Sequence, residues 1–339
     1  MRDPVILHDH LYRNLPVFRT LFEEVDSGKL NPNSMEAARK FVLQDGTYAE
    51  SLHTLWFMLV GYRHFGQQTF VVGPRFQAML EHTSLTGVPR EAIRFPYGYF
   101  YVALPESGYR LWGEHSGWHD LEGVVVGKSR QSGAFSLYLW GKENEKSTGP
   151  GDDASFWVDL SIEEATAKGQ DMETYLSDLL SDRSRASSPK QGGLTEDYWK
   201  DAAVWAETKR ASLAVLRIVL NLSIYLQHDG AEKSEHPLST RTREERTQLQ
   251  KALKGKNPKK KSTRHLQRDL DKLSGAHITW LGETIESSSA ATPGSGPSPS
   301  IRFWVRGHWY PRLDNVEART RHKLRWVHPY EKGTDLEPA

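Results

Sequence analysis

From Leu213 to Leu226 the chain is apolar on nearly every side of a helix, interrupted by Arg217, Asn221 and the small Ser223. A helix hydrophobic all round has no solvent face and must be enclosed by other elements. The run is shorter than the roughly 20 residues a bilayer span needs, so the fold has to build a core around it. Upstream, Trp199, Ala203, Ala206, Ser212, Val215, Val219 and Leu222 continue the helical spacing, predicting one long helix over 197–227. The remainder is aromatic enough for such a core, with 11 Trp, 13 Tyr and 12 Phe in 339 residues.

Elements on either side follow from local signals. Leu11, Leu15, Phe18, Leu21 and Phe22 recur at helical intervals, with Pro16 at a first turn or a boundary. The turn Asn31-Pro32-Asn33-Ser34 places Ser34 as N-cap of a helix from Met35, broken at Gly46, that carries Phe41, Tyr48, Leu52, Leu55, Trp56 and Leu59. Strands are expected over 68–72, 97–104, 121–126, 134–140, 155–160 and 277–281, and a helix over 74–82 with Pro at its start. Ser161 and Glu164 have capping-box spacing and open a helix expected to run to about Leu180. The Ser/Gly/Pro-rich stretches 183–193 and 287–300 read as loops. The expected class is α+β: N-terminal helices, a central mostly antiparallel sheet, a long buried helix and a C-terminal basic β-hairpin. The expected organisation is a helical region over 1–66, an α+β domain over 67–230, a basic arm and linker over 231–300, and the hairpin over 301–339 packed on the central domain.

Net charge is +1, yet its distribution is uneven. Between Arg241 and Lys272 twelve Lys/Arg face four Asp/Glu, and between Arg302 and Lys332 eight face three. Such segregation points to an anionic partner, nucleic acid or an acidic protein surface, for the C-terminal third. The arm is expected to be an exposed helix pair or a flexible segment around Lys259, Lys260, Lys261 and Arg264. Cysteine is absent, which excludes disulfides, thiolate nucleophiles and Cys-based metal sites. The first residues, MRDPVILHDHLYRN, lack a signal-peptide core. A cytoplasmic protein with no membrane partner is the expectation.

The most distinctive stretch is Arg302-Phe-Trp-Val-Arg-Gly-His-Trp-Tyr-Pro-Arg312, followed by Arg319-Thr-Arg-His-Lys-Leu-Arg-Trp-Val-His-Pro-Tyr-Glu-Lys-Gly333. If its two strands pair, His308, Trp309, Arg312, Arg325, Trp326 and His328 converge. Arg and Lys supply phosphate contacts and indoles supply stacking faces. The candidate partner- or RNA-binding set is therefore Arg302, Arg306, His308, Trp309, Arg312, Arg319, Arg321, Lys323, Arg325, Trp326, His328, Tyr330 and Lys332. The competing reading makes Trp304, Trp309 and Trp326 core residues, the cations a solvated face, and His308 and His328 hydrogen-bonded structural residues.

The order strand, R-G-H-W, basic turn, strand, R-W-V-H-P-Y-x-K-G resembles the C-terminal signature of a phage- and plasmid-borne family, that of the second type V-A anti-CRISPR protein. The likeness extends upstream through Val88 to Pro105, the hairpin of 121–126 with 134–140, and the helix ending Leu220-Asn-Leu-Ser-Ile-Tyr-Leu226. It covers most of residues 70 to 333. Two departures are Tyr310-Pro311, where the family often has two basic residues, and a turn between the strands without the family's usual Gly. The resemblance implies a non-enzymatic inhibitor that recognises a nascent CRISPR effector polypeptide and lowers its expression through loss of its mRNA during translation. The partners it implies are that polypeptide or another translating target, with mRNA or ribosome close by.

No cofactor is expected. Neither a G-x-x-x-x-G-K-[ST] loop nor a G-x-G-x-x-G turn occurs, and H-E-x-x-H is absent. No metal site is expected either: His8-Asp9-His10 reads as a surface segment, and His115 and His119 lie among glycines that favour a loop. No catalytic residue is assigned. The alternative is an RNA-binding protein or a metal-independent ribonuclease with His308 and His322 as acid and base, beside Arg312 and Arg325.

Overall fold

The computed structural model describes residues 7–42, 46, 49–89, 92–113, 116–128, 134–142, 144–145, 154–167, 169–180, 201–228, 230–256, 261–272, 275–287, 303–305, 307–313, 322–327 and 329–332. In chain order they form α1 (Leu7–Asn14), α2 (Pro16–Asp26), α3 (Met35–Arg39), α4 (Glu50–His64), β1 (Gln68–Val72), α5 (Pro74–Glu81), β2 (Thr83–Ser84), β3 (Tyr99–Ala103), β4 (Arg110–Gly113), β5 (Gly117–Lys128), β6 (Ala134–Gly141), β7 (Ser155–Ser161), α6 (Ile162–Ala167) and α7 (Met172–Leu179). Then follow α8 (Ala202–Tyr225), β8 (Lys233–Glu235), α9 (Pro237–Leu253), α10 (Lys261–Lys272), β9 (His277–Leu281), α11 (Glu283–Ser287), β10 (Phe303–Val305), β11 (Gly307–Leu313), β12 (His322–Val327) and β13 (Tyr330–Lys332).

The expected α+β class holds. The main sheet runs β7-β6-β5-β3-β1-β9-β8, with β4 paired to β5 beside it. Most pairings are antiparallel, but β1 at the centre pairs in parallel with both β3 and β9. Strands β8 and β9 come from the stretch read as arm and linker, so that stretch also completes the sheet.

Alternation along the strands builds two apolar layers. Phe70, Phe100, Val102, Val124, Val126, Leu137, Leu139, Phe156 and Val158 face a layer made by α5, α7 and α8. Val71, Tyr99, Tyr101, Val125, Tyr138 and Trp140 face the N-terminal helices through Leu11, Phe22, Leu55, Trp56 and Tyr62. Tyr99 sits between helix and sheet where two glycines make room. A Cβ on Gly61 would lie 2.5 Å from its ring, and one on Gly127 also 2.5 Å.

Helix α8 matches its sequence. Asp201 caps it by accepting from the amides of Ala203 and Val204, and its second half is buried, Asn221 included. Arg217 reaches the helix flank and donates to Glu173 Oε2 from Nη2 at 2.9 Å and Nε at 3.1 Å. Glu173 Oε1 accepts from the amide of Leu85 at 3.1 Å, so one carboxylate ties α7, α8 and the segment after β2.

Several expectations change. The predicted helix from Ser161 is two helices: Gly169 turns at φ +63° and Asp171 caps α7 through the amide of Thr174. Ser34 caps α3 as predicted, accepting from Ala37, but α3 ends at Arg39: Phe41 follows it, Tyr48 lies outside the described residues, and Leu52, Leu55, Trp56 and Leu59 belong to the separate helix α4. His8 is not a surface residue. It is buried among Tyr12, Phe22 and Tyr62, with Nδ1 3.0 Å from Asp9 Oδ1. The predicted loop at 183–193, Trp199, and all of the predicted loop at 287–300 except Ser287, which ends α11, lie outside the described residues. No helix among the described residues is long and apolar enough to cross a membrane.

Candidate functional site

The R-G-H-W and R-W-V motifs meet as anticipated. Strands β11 and β12 pair antiparallel, with Trp309 opposite Trp326, His308 opposite Val327, Tyr310 opposite Arg325, Arg312 opposite Lys323 and Leu313 opposite His322. The first strand does not end at Gly-His-Trp but runs through it. At its start β11 also pairs in parallel with β2, Gly307 opposite Thr83 and His308 opposite Ser84. The amide of Gly307 donates to His82 O at 3.0 Å.

This register needs a glycine at 307. A Cβ there would stand 2.5 Å from Pro329 Cδ and 2.7 Å from Val327 O, closer than side-chain atoms approach one another. The glycine lets β11 lie against the turn that leads from β12 to β13, whose Pro329 is buried.

Both indoles point inward. Trp309 is 5% exposed and Trp326 is 6% exposed, and their rings stack at 5.6 Å and 18°. Trp309 Nε1 donates to Asn221 Oδ1 at 2.7 Å, and Trp326 Nε1 donates to Thr83 Oγ1 at 3.0 Å. The remaining polar groups are also satisfied. Asn221 Nδ2 donates to Leu80 O at 2.8 Å and to Thr83 O at 2.9 Å, while Thr83 Oγ1 donates to Met79 O at 2.7 Å. Phe76 and Tyr225 close the box around Trp326, with centroids at 5.9 and 5.5 Å. Burial holds the Tyr225 hydroxyl above its ordinary range, and this hydroxyl accepts from the amide of Glu232 at 2.7 Å.

The expectation that Trp309 and Trp326 offer stacking faces to a partner is therefore corrected. A ring enclosed by Phe76, Tyr225 and its twin, with its only donor used, has no face left for a base. The physical reason is strand alternation: pairing 309 with 326 puts both on the side of the ribbon that covers α5 and α8. His308 and Val327, the neighbouring pair on the ladder, are exposed. The ribbon thus has an aromatic inner side, with His308 and Val327 open to solvent on the other.

Arg302, Arg306, Arg319, Arg321 and His328 lie outside the described residues. Tyr330 stands opposite Val305 and Lys332 opposite Phe303 in the β10–β13 pair. His322 lies four positions along the ladder from the Trp309–Trp326 pair, at Leu313, so the register separates it from His308 by nearly the length of the ribbon. That spacing does not bring the two histidines of the ribonuclease alternative onto one phosphate.

In the arm, Lys261 opens α10 and Arg264 is exposed one turn in, while Lys259 and Lys260 lie outside the described residues. His119 lies on β5, buried, where Nδ1 donates to Lys142 O at 2.8 Å. Its Nε2 therefore accepts from the hydroxyl of Ser116 at 2.6 Å, and His115 is outside the described residues. Among the described residues no cluster of three or more His, Asp or Glu could hold a metal ion.

Asn221 and Thr83 are the site residues that sequence reasoning missed as partners. For Asn221 a signal existed: a carboxamide inside an all-round apolar helix has to be hydrogen-bonded. Thr83 carried none.

No curated protein matches the chain. Among solved structures, the crystal structure of AcrVA2 is similar at 10% sequence identity, covering 92% of each chain with a TM-score of 0.43. The model of the AcrVA2-like family matches residues 70–330, from β1 through the sheet, α8 and the docked ribbon to β13. The chain belongs to the anti-CRISPR type V subtype A2 family.

Proposed function

We propose that this chain is an anti-CRISPR protein acting in the cytoplasm of a bacterial host. In this reading it recognises the nascent polypeptide of a CRISPR effector and lowers the effector's expression through loss of its mRNA during translation, without itself being an enzyme. The observation that carries the reading is the family match over residues 70–330. The docked ribbon is consistent with a binding role: its aromatic side is spent on the core, which holds the opposite side, with His308 and Val327, rigidly toward solvent.

The test is co-expression with effector genes of three kinds. A synonymously recoded gene keeps the polypeptide and changes the message. A frameshifted gene keeps most of the message and changes the polypeptide. A gene without a start codon is not translated. Message loss for the native and recoded genes, and for neither of the others, is the expected pattern. Loss that follows the nucleotide sequence, or that persists without translation, would overturn the reading in favour of direct action on RNA.

A further inference from the structure

The densest positive charge in the chain is not on the ribbon. Between Arg246 and Arg268 the sequence has nine Lys/Arg and no Asp/Glu. The structure makes this stretch the distal end of a helical hairpin. Helices α9 and α10 are inserted between the adjacent strands β8 and β9, and the charge sits where one helix ends and the other begins. Lys251 is in the last turn of α9, Lys254 caps it, Lys256 follows in the turn, and Arg264 completes the first turn of α10. All four are exposed, and no carboxylate among the described residues pairs with them. Among the described residues, Glu235 pairs with Arg243 and Glu245 with Arg241, on β8 and the first half of α9, away from the tip.

Helix stabilisation accounts for only part of this. Cations in a last turn complement the helix dipole, which suits Lys251 and Lys254. Arg264 is at the wrong end, since the first turn of α10 has no acidic residue and a cation there opposes the dipole. Solvation alone does not require an unmixed charge either, because ordinary surfaces intersperse both signs.

We propose that the tip of this hairpin, through Lys251, Lys254, Lys256 and Arg264, docks the phosphodiester backbone of a nucleic acid without reading its sequence. Composition separates this partner from the other polyanions. Protein interfaces are depleted in Lys and built on aromatic anchors, whereas no Phe, Tyr or Trp stands among the exposed described residues of the tip. A membrane surface would need an apolar face to insert, yet Leu249, Leu253, Leu266 and Leu270 are each partly covered. Phosphate contacts need only closely spaced, unpaired cations. The inference stands apart from nascent-chain recognition and can fail without it.

The experiment is fluorescence anisotropy on the full-length protein with a labelled single-stranded RNA of mixed sequence, a DNA of the same sequence and a polyglutamate peptide, from about 50 to 200 mM salt. The RNA should bind, and log affinity should fall linearly with log salt. The triple variant K251Q/K254Q/K256Q should bind on the order of tenfold more weakly, with a salt slope shallower by about 2. A control that removes three exposed charges elsewhere, K29Q/R39Q/K40Q, should behave as wild type. Both variants should keep the wild-type circular dichroism and melting temperature, because the positions are exposed. Equal loss in the control would reduce the effect to net charge and overturn the proposal. So would unchanged binding by the tip variant, or polyglutamate competing as well as RNA. The DNA should bind within a few-fold of the RNA, since phosphates carry the contact, and failure of the DNA to bind would overturn the proposal.

Discussion

Trp309 donates its indole N–H to the carboxamide oxygen of Asn221 across 2.7 Å, joining residues 88 positions apart in the chain. The bond fastens the C-terminal ribbon to the buried helix near its C-terminal end. Asn221 also donates to the carbonyls of Leu80 and Thr83, so one side chain satisfies the end of α5, the start of β2 and the ribbon. N221A should lower stability by about 1–3 kcal/mol, because three buried polar groups lose a partner together. N221D should cost more, since a carboxylate would face two carbonyl oxygens in a dry site. Urea unfolding followed by circular dichroism measures both, and a wild-type midpoint for N221D would refute the network.

Thr83 is the second anchor, accepting from Trp326 and donating to Met79 O. T83V preserves the shape and removes both bonds, leaving a buried donor and acceptor open. A loss of about 1–3 kcal/mol is expected, with T83S recovering most of it. Near-ultraviolet circular dichroism should show the stacked indole pair weakening in T83V and restored in T83S.

Gly307 tests close approach rather than hydrogen bonding. Its φ is not positive, so an alanine there is not strained by conformation. The clash with Pro329 and the carbonyl of Val327 is the whole effect. G307A should separate β11 from the β12–β13 turn and raise the rate of limited proteolysis in the C-terminal region, while V327A, at an exposed position, should not.

Alkaline pH should unfold the protein through its buried phenols. Burial pushes the Tyr138 hydroxyl up to about 12, opposed by its hydrogen bond to Ser155, and holds Tyr62 and Tyr101 higher still. In each case the folded value lies above the unfolded value near 10. The unfolded chain therefore releases these protons first, and stability is intact below pH 10 and lost as pH rises through and beyond 12. Tyr138 alone accounts for roughly 2–3 kcal/mol of that loss. Phenolate absorbance should rise in step with unfolding, and Y138F should shift the alkaline midpoint upward.

Where periodicity was strong, elements could be read directly. Pro74 opens α5, Ser34 caps α3, and β1, β6, β7 and β9 fall where branched and aromatic residues alternate. The break between α6 and α7 escaped because Gly169 and Asp171 act locally inside a pattern that otherwise continues. In the ribbon, the pairing of the Gly-His-Trp strand with the Arg-Trp-Val strand was legible from the motifs, but the direction of the indoles was not. Alternation fixes that Trp309 and Trp326 share a side; it does not say which side is covered.

By itself, then, the chain's order of residues settled that an all-round apolar helix must be enclosed, that a mixed α+β core surrounds it, and that positive charge gathers in the last third. Periodicity and composition act over neighbouring residues, and these properties need no more than that. Tertiary structure alone decided that both indoles are anchors, because their partners are supplied by Asn221 and by Thr83, the latter 243 positions from Trp326. It also decided that the unpaired cations of α9 and α10 stand together at one tip, since two helices bring charges side by side only once they fold back on each other.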